Sequence, residues 1–282
     1  MITKLDQKKI CKGLKNAVDV EVFETLDSTS SEARRRAADL LRPAVFLSEE
    51  QTAGRGRNGH SFYSPKYDGL YCTLAYPADG FGENLLRVTA KAAVAVVSGI
   101  QSRLNLALQI KWVNDIYTGN QKVAGILTER VVTERPPKTD APRPGSWLLI
   151  GIGINVTTSI FPEDLVGRAR SLNPFGDEDS TAKRSFRATD RNELAIAVLK
   201  ALLDELGHPE DKSYLERYRA LSNVISRKVV FGVYSENEET LSDSGTAIAI
   251  EDDGALLLQK EDGTTIRLDS GEIRVRTGKG EF

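Results

Sequence analysis

The sequence predicts an α+β fold: a β-sheet domain flanked by helices, followed by a small all-β unit. Three observations predict it. Apolar runs of strand texture alternate with helical stretches up to residue 222. Segment 85–104 carries Leu85, Val88, Ala92, Val96, Ile100 and Leu104 on one helical face, the mark of a long core helix. From Asn223 onward the chain breaks into short β runs, with Asp253-Gly254 and Asp262-Gly263 as hairpin signals. These place a boundary between a larger unit, residues 1–222, and a small β-barrel, residues 223–282.

Taken in order, residues 4–16 space Leu5, Ile10, Cys11 and Leu14 as a short amphipathic helix would, and VEVFETL then alternates as a strand. In LDSTSSEARRRAADLLRP, Thr29 is placed to cap a helix, Glu32 to complete a capping box and Pro43 to end it. AVFLSEEQ reads as a strand entering the loop QTAGRGRNG, and FYSPKYDGLYCTLAYP as the strand leaving it. Beyond the core helix, LQIKWVNDIY and KVAGILTERVV form strands joined by a turn at Gly119-Asn120, and SWLLIGIGINV forms another. Between the last two, ERPPKTDAPRPGS holds prolines 136, 137, 142 and 144 among few apolar groups and reads as a solvated, mobile loop. TDRNELAIAVLKALLDELG is a second helix, capped by Asp190 and ended by Gly207.

Hydrophobic residues make up 40% of the chain and charged residues 28%, enough apolar content for one large core and a small second unit. The net charge of −2 excludes a general electrostatic affinity for nucleic acid or anionic membrane, so any basic site must be local. Cys11 and Cys72 are distant in sequence and show no CxxC spacing, as expected of a reducing cytoplasmic setting. No apolar run reaches a membrane span and no cleavable leader is apparent, so a soluble, unprocessed protein with no membrane partner is expected.

Three motifs carry chemistry. In GRGRNG, backbone N–H groups can approach an anion because no Cβ intervenes, and Arg55 and Arg57 add planar charged donors. The spacing matches neither a Walker A loop nor GxGxxG, and on the residues alone an anion cradle and a solvated surface turn stand open. KWVND, read as one strand, offers Lys111, Asn114 and Asp115 on different faces. The following hairpin returns Lys122 near Asp115, where a lysine would neutralise an anionic reaction centre; an ordinary hairpin with a surface lysine is the alternative. In GIGIN, Gly151 and Gly153 share one strand face, which marks close approach of a ligand or of another element. Ser28 and Thr29 are helix caps whose hydroxyls could also reach a small polar ligand.

Together, LDSTS at 26–30, QTAGRGRNG at 51–59 followed by FYSP, KWVND at 111–115, KVAGILTE at 122–129, GIGINV at 151–156 and GEI at 271–273 resemble the biotin protein ligases, in order and spacing across most of the chain. The resemblance implies a mixed β-sheet catalytic domain flanked by helices, as in class II synthetases, plus a small SH3-like C-terminal β-barrel. The implied activity uses ATP, biotin and Mg²⁺: biotinyl-5′-AMP forms first, and biotin then passes to a lysine of a biotin carboxyl carrier protein. By motif match the catalytic residues are Lys122, Asp115 and Arg57, and biotin is held by Ser28, Thr29, Gln51, Gly54, Arg55, Arg57, Lys122 and Gly125. ATP and the adenylate fall to Arg55, Arg57, Phe62, Lys111, Asn114, Lys122 and Asn155, and no dedicated protein metal cage is expected.

Two positions depart from the family pattern. Val113 stands where proline is usual, and Phe62 where a tryptophan is often found; the first leaves Asn114-Asp115 in place, the second keeps an aromatic cover without an indole donor. Lipoate or octanoyl transfer on the related fold is the nearest rival, and a phosphate-contacting nucleic-acid module and a carrier-binding scaffold without turnover are more distant ones. Because LDST begins by residue 26, an N-terminal helix-turn-helix does not fit, and no sequence-specific DNA binding is expected. A homodimer is compatible with such a ligase.

Overall fold

The computed structural model describes residues 4–133, 144–172, 190–235, 238–277 and 280–281. A seven-stranded mixed sheet organises the larger unit. Its strands are β1 (Asp19–Phe23), β2 (Ala44–Ser48), β3 (Gly69–Pro77), β4 (Gln109–Lys111), β5 (Asp115–Thr118), β6 (Gln121–Val132) and β7 (Ser146–Asn155). They lie in the order β1-β2-β3-β7-β6-β5-β4, with β1 and β2 parallel and every other neighbour antiparallel. The predicted loop 136–144 connects β6 to β7, and its residues 136–143 fall outside those described.

Period-two alternation gives the sheet two different faces. Val45, Leu47, Leu70, Cys72, Leu74, Ile150, Ile152 and Ile154 point into the main core, under helices α3 (Leu85–Gln101) and α4 (Arg191–Leu206). The helices approach so closely that a Cβ on Gly99 would lie 2.5 Å from Val198 Cα, a contact only glycine allows. α1 (Gln7–Gly13), capped by Asp6, packs on α4. The opposite face carries α2 (Thr29–Arg36), which covers a smaller cluster of Ala33, Phe46, Ala75, Trp147 and Leu149. Past α2 this face is open.

Four expectations need refinement. The α2 N-cap is Ser28, whose side chain accepts from the Ser30 N–H, and not Thr29. With the cap moved one residue, Glu32 is out of capping-box register and pairs with Arg35 and Arg36 instead. KWVND is not one strand: β4 ends at Lys111, residues 112–114 turn, and Lys111 faces Asp115 across a tight hairpin. The α3 stripe also hides a charge, since buried Lys91 donates to the carbonyls of Glu205, His208 and Asp211 at the end of α4. Of these, Glu205 O is one of the carbonyls a helix C-terminus leaves without a helical partner, and burial holds the lysine pKa below its usual value.

α5 (Tyr214–Leu221) leads into the C-terminal unit: β8 (Lys228–Ser235), β9 (Glu238–Ile250), β10 (Leu256–Gln259), β11 (Thr265–Leu268), β12 (Glu272–Thr277) and β13 (Gly280–Glu281), ordered β11-β10-β9-β8-β12-β13. Gly254 and Gly263 occupy two of its turns at φ +93° and +85°, as the Asp-Gly signals predict. Three side chains of the larger unit grip the first of these turns. Trp112 Nε1 donates to Gly254 O at 2.9 Å, Asn84 Nδ2 to Asp253 O at 3.2 Å, and Arg219 pairs with Asp252 at 2.8 Å.

A buried ion pair fixes the start of α4. Arg191, 4% exposed, meets Glu49, 2% exposed, at 2.7 Å, and Glu49 also accepts the Leu5 N–H at 2.6 Å. An arginine at a helix N-terminus opposes the helix dipole, so the carboxylate partner is essential there. Arg191→Met strands Glu49 as an unpaired buried charge and should lower the unfolding free energy by roughly 3–5 kcal/mol. Urea denaturation that shows a loss near zero would contradict this account of the pair.

Candidate active site

The open face of the sheet beyond α2 forms a cleft of about 650 Å³, within the range of small-molecule sites. Its floor is made by missing side chains. A Cβ on Gly151 would come within 2.6 Å of Ser30 Oγ, and one on Gly153 within 2.6 Å of the Phe62 ring. Of the two readings of the GIGIN glycines, close approach of another element holds at both: Gly151 admits the α2 contact, and Gly153 admits the ring that follows the glycine loop. Gly125 on β6 adds a third gap, opposite Gly153, where Lys122 and Phe62 lie nearest.

At one end of the cleft lies a network of hydroxyl and amide groups. Gln51 Oε1 accepts from Thr29 N at 2.8 Å and Thr29 Oγ1 at 3.1 Å, while Gln51 Nε2 donates to Ser64 Oγ at 2.8 Å. Thr73 on β3 bonds the hydroxyls of both Thr29 and Ser30. Ser28, Thr29, Ser30 and Gln51 thus present polar edges beside an aromatic wall. That combination suits a small ligand that offers hydrogen-bonding groups at this end.

The glycine loop crosses the cleft as a miniature hairpin. Phe62 N bonds Gly54 O at 2.9 Å, Gly56 N bonds His60 O at 2.7 Å, and His60 N bonds Arg57 O at 2.9 Å. Asn58 and Gly59 turn it at φ 51° and 78°, the left-handed region where Asn and Gly are favoured. Gly54 sits behind the wall: its Cβ would meet Phe62 O at 2.4 Å, so glycine is required there for loop closure. Arg55 turns its guanidinium onto Glu129 of β6, and Arg57 Nη1 reaches Asn114 Oδ1 at 3.3 Å.

The other end of the cleft is charged. Lys122 Nζ lies 2.7 Å from Asp115 Oδ1 and 6.0 Å from the Phe62 ring centre. The KWVND turn that presents Asp115 is held from behind, where the buried Tyr218 hydroxyl donates to Val113 O at 2.9 Å. Asn114 Nδ2 donates to Ile126 O at 2.9 Å, which satisfies the amide the sequence left without an evident partner. Lys111 also lines this end, its ammonium 5.6 Å from the Tyr117 ring centre.

Of the residues singled out from sequence, Ser28, Thr29, Gln51, Arg55, Arg57, Phe62, Lys111, Asn114, Asp115, Lys122 and Gly125 come together on the cleft wall. Gly54 and Asn155 do not. The Asn155 side chain is buried and reaches Arg170 O, so it braces the segment after β7. Sequence reasoning missed that segment: Lys122 N bonds Arg168 O and Arg170 N bonds Lys122 O, each at 2.9 Å, bringing Arg168 and Ala169 beside Lys122. Residues 163–170 carry no helix or strand period that would have revealed them. The cleft also takes Gly271, Ile273 and Arg274 from the C-terminal unit, of which only GEI 271–273 had a sequence signal.

A mixed sheet bearing a polar pocket, a glycine-arginine loop and a lysine–aspartate pair defines an α+β domain with a small-molecule binding cleft. Two family models match the chain: that of the biotin/lipoate A/B protein ligase family over residues 22–137, and that of the biotin protein ligase C-terminal domain over residues 233–276. The bifunctional ligase/repressor BirA of Salmonella typhimurium is 29% identical over 271 residues, covering 93% of this chain and 75% of that protein. The biotin–[acetyl-CoA-carboxylase] ligase of Paracoccus denitrificans is 28% identical over 249 residues, covering 85% and 94%. In fold, the chain is similar to the Aquifex aeolicus biotin protein ligase solved in complex with biotin and ATP, with a TM-score of 0.71 and 24% identity over 92% of this chain and 99% of that one.

Tyr218→Phe leaves the buried Val113 carbonyl without its donor and should destabilise the protein by about 1–3 kcal/mol. Calorimetric unfolding checks this, and an unchanged melting temperature would show that the turn does not depend on the hydroxyl.

Proposed function

We propose that this protein is a biotin protein ligase that activates biotin with ATP and transfers it to a lysine of a biotin carboxyl carrier protein. The observation that carries the choice of biotin over lipoate is the C-terminal domain, matched as that of biotin protein ligases and built into the cleft through Gly271–Arg274. The catalytic unit is assigned to residues 1–222 and the barrel to 223–282. No helix among the described residues is long and apolar enough to cross a membrane, and both cysteines are free, which supports a cytoplasmic setting.

Biotin's ureido ring is assigned to the Ser28, Thr29 and Gln51 end, and its carboxylate to the Lys122 end. In the first step a carboxylate oxygen attacks the α-phosphorus of ATP; the new C–O–P link forms as the bond to the bridging oxygen breaks and pyrophosphate leaves. Negative charge then concentrates between carboxylate and α-phosphate. Lys122, whose side chain pairs with Asp115 and whose backbone is held by the Arg168–Arg170 segment, would supply the positive charge there, and such preorganised charge stabilises the transition state more than the ground state. In the second step the carrier lysine's neutral amine attacks the biotinyl carbonyl carbon; the C–N bond forms, the acyl C–O bond breaks with its electron pair leaving on AMP, and the nitrogen gives up one proton to solvent. Asp115 is placed to orient that amine, and Arg57 to face the phosphate until transfer. Mg²⁺ would enter with the ATP phosphates and offset their charge. Among the described residues no cluster of three or more His, Cys, Asp or Glu side chains could hold a metal, so its ligands would come chiefly from phosphate and water.

Lys122→Ala should reduce carrier biotinylation and biotin-dependent pyrophosphate exchange by roughly 10²–10³-fold with the fold intact. Near-normal turnover in the exchange assay would remove Lys122 from the mechanism.

A further inference from the structure

The stretch KVAGILTE ends in a carboxylate with no part in the chemistry above. Gly125, Leu127 and Glu129 alternate onto the cleft face of β6, so Glu129 stands one strand repeat beyond Leu127 toward α2. Its side chain is largely buried, at 17% exposed, and faces two arginines. Glu129 Oε1 accepts from Arg34 of α2 at 2.7 Å. Both its oxygens accept from Arg55, at 3.1 and 3.0 Å, in a two-pronged pair. This two-pronged geometry fixes the orientation of both groups.

Arg55 is therefore turned to the sheet, whereas Arg57, two residues on, reaches Asn114 at the KWVND turn. We propose that Glu129 is a positioning residue that clamps Arg55, so that Arg55 anchors the glycine loop to β6 and α2 while Arg57 faces the substrates. This rests on the biotin ligase reading and revises the ligand-contact role that the resemblance implies for Arg55. The clamp joins three elements around the biotin end of the cleft: α2, held by Arg34 in its last turn, the loop stem beside Phe62, and the strand bearing Gly125. Holding them before ligand arrives reduces the ordering that binding must supply.

The test uses the full chain and two readouts. Arg55-Gly56 and Arg57-Asn58 are tryptic bonds within the loop, so limited trypsinolysis of the ligand-free protein reports its closure without reference to activity. Glu129→Gln keeps the side chain's shape and removes its charge. It is expected to speed cleavage at these bonds about tenfold or more, and to raise KM for biotin by a similar factor with kcat little changed. Glu129→Gln combined with Arg55→Gln should be no worse than the more severe single variant, because both delete one interaction. Wild-type cleavage and KM in Glu129→Gln would overturn the proposal, as would faster cleavage with an unchanged KM. Additive effects in the double variant would also overturn it, since Arg55 would then act on substrate independently of Glu129. If the protein shows no turnover with biotin, the functional reading fails, and the cleavage comparison still decides whether the clamp exists.

Discussion

The cleft depends on three places where the sheet has no side chain. β3, β7, β6 and β5 pair antiparallel, so their small residues fall into register on one face: Gly125 lies directly opposite Gly153, with Gly151 one strand repeat along. Any Cβ at Gly151 or Gly153 would occupy the space of Ser30 or Phe62. Glycine in a strand interior forfeits packing and backbone entropy. Here that cost is local, because the other face of the same strands buries Ile126, Ile150, Ile152 and Ile154 in the main core. One strand pair thus serves stability on one side and ligand space on the other.

Around that floor, the lining side chains are held by partners from other elements. Gln51 is oriented through Thr29 and Ser64, Asp115 through Lys122 and a turn braced by Tyr218, and Lys122 through the backbone of Arg168 and Arg170. The C-terminal barrel joins the same scheme. Its Gly254 carbonyl takes the Trp112 indole N–H at the back of the KWVND turn, while Arg274 faces the cleft. The barrel is therefore part of the catalytic unit's construction, in contact with both the turn and the site. Cys72 takes no part in the chemistry: it is fully buried under the sheet, where desolvation pushes its thiol up to about 12 and keeps it protonated.

Much of this was legible in the sequence where one local signal sufficed. The α3 stripe, the Asp190 cap, the Asp-Gly turns and the pairing of Lys122 with Asp115 all follow from short-range pattern and loop length. What was not legible required knowledge of tertiary neighbours. Ser28 and Thr29 are both competent caps, and only the position of Gln51 shows why Thr29 is turned to it. KWVND has strand-like alternation, but the Tyr218 and Gly254 contacts hold its centre as a turn. Asn155 shares a strand with the cleft glycines yet is drawn to the Arg170 carbonyl, and Arg55 is drawn to Glu129, 74 residues away. Charged and polar side chains choose among distant partners, and no periodicity encodes that choice.

The central claim is that this cleft activates biotin. The most direct test is ATP–pyrophosphate exchange by the purified protein with biotin and lipoate offered separately. The account predicts exchange that depends on biotin. Exchange supported by lipoate alone would keep the fold and overturn the substrate, and exchange with neither would contradict the assignment of the glycine loop and Lys122 to adenylation.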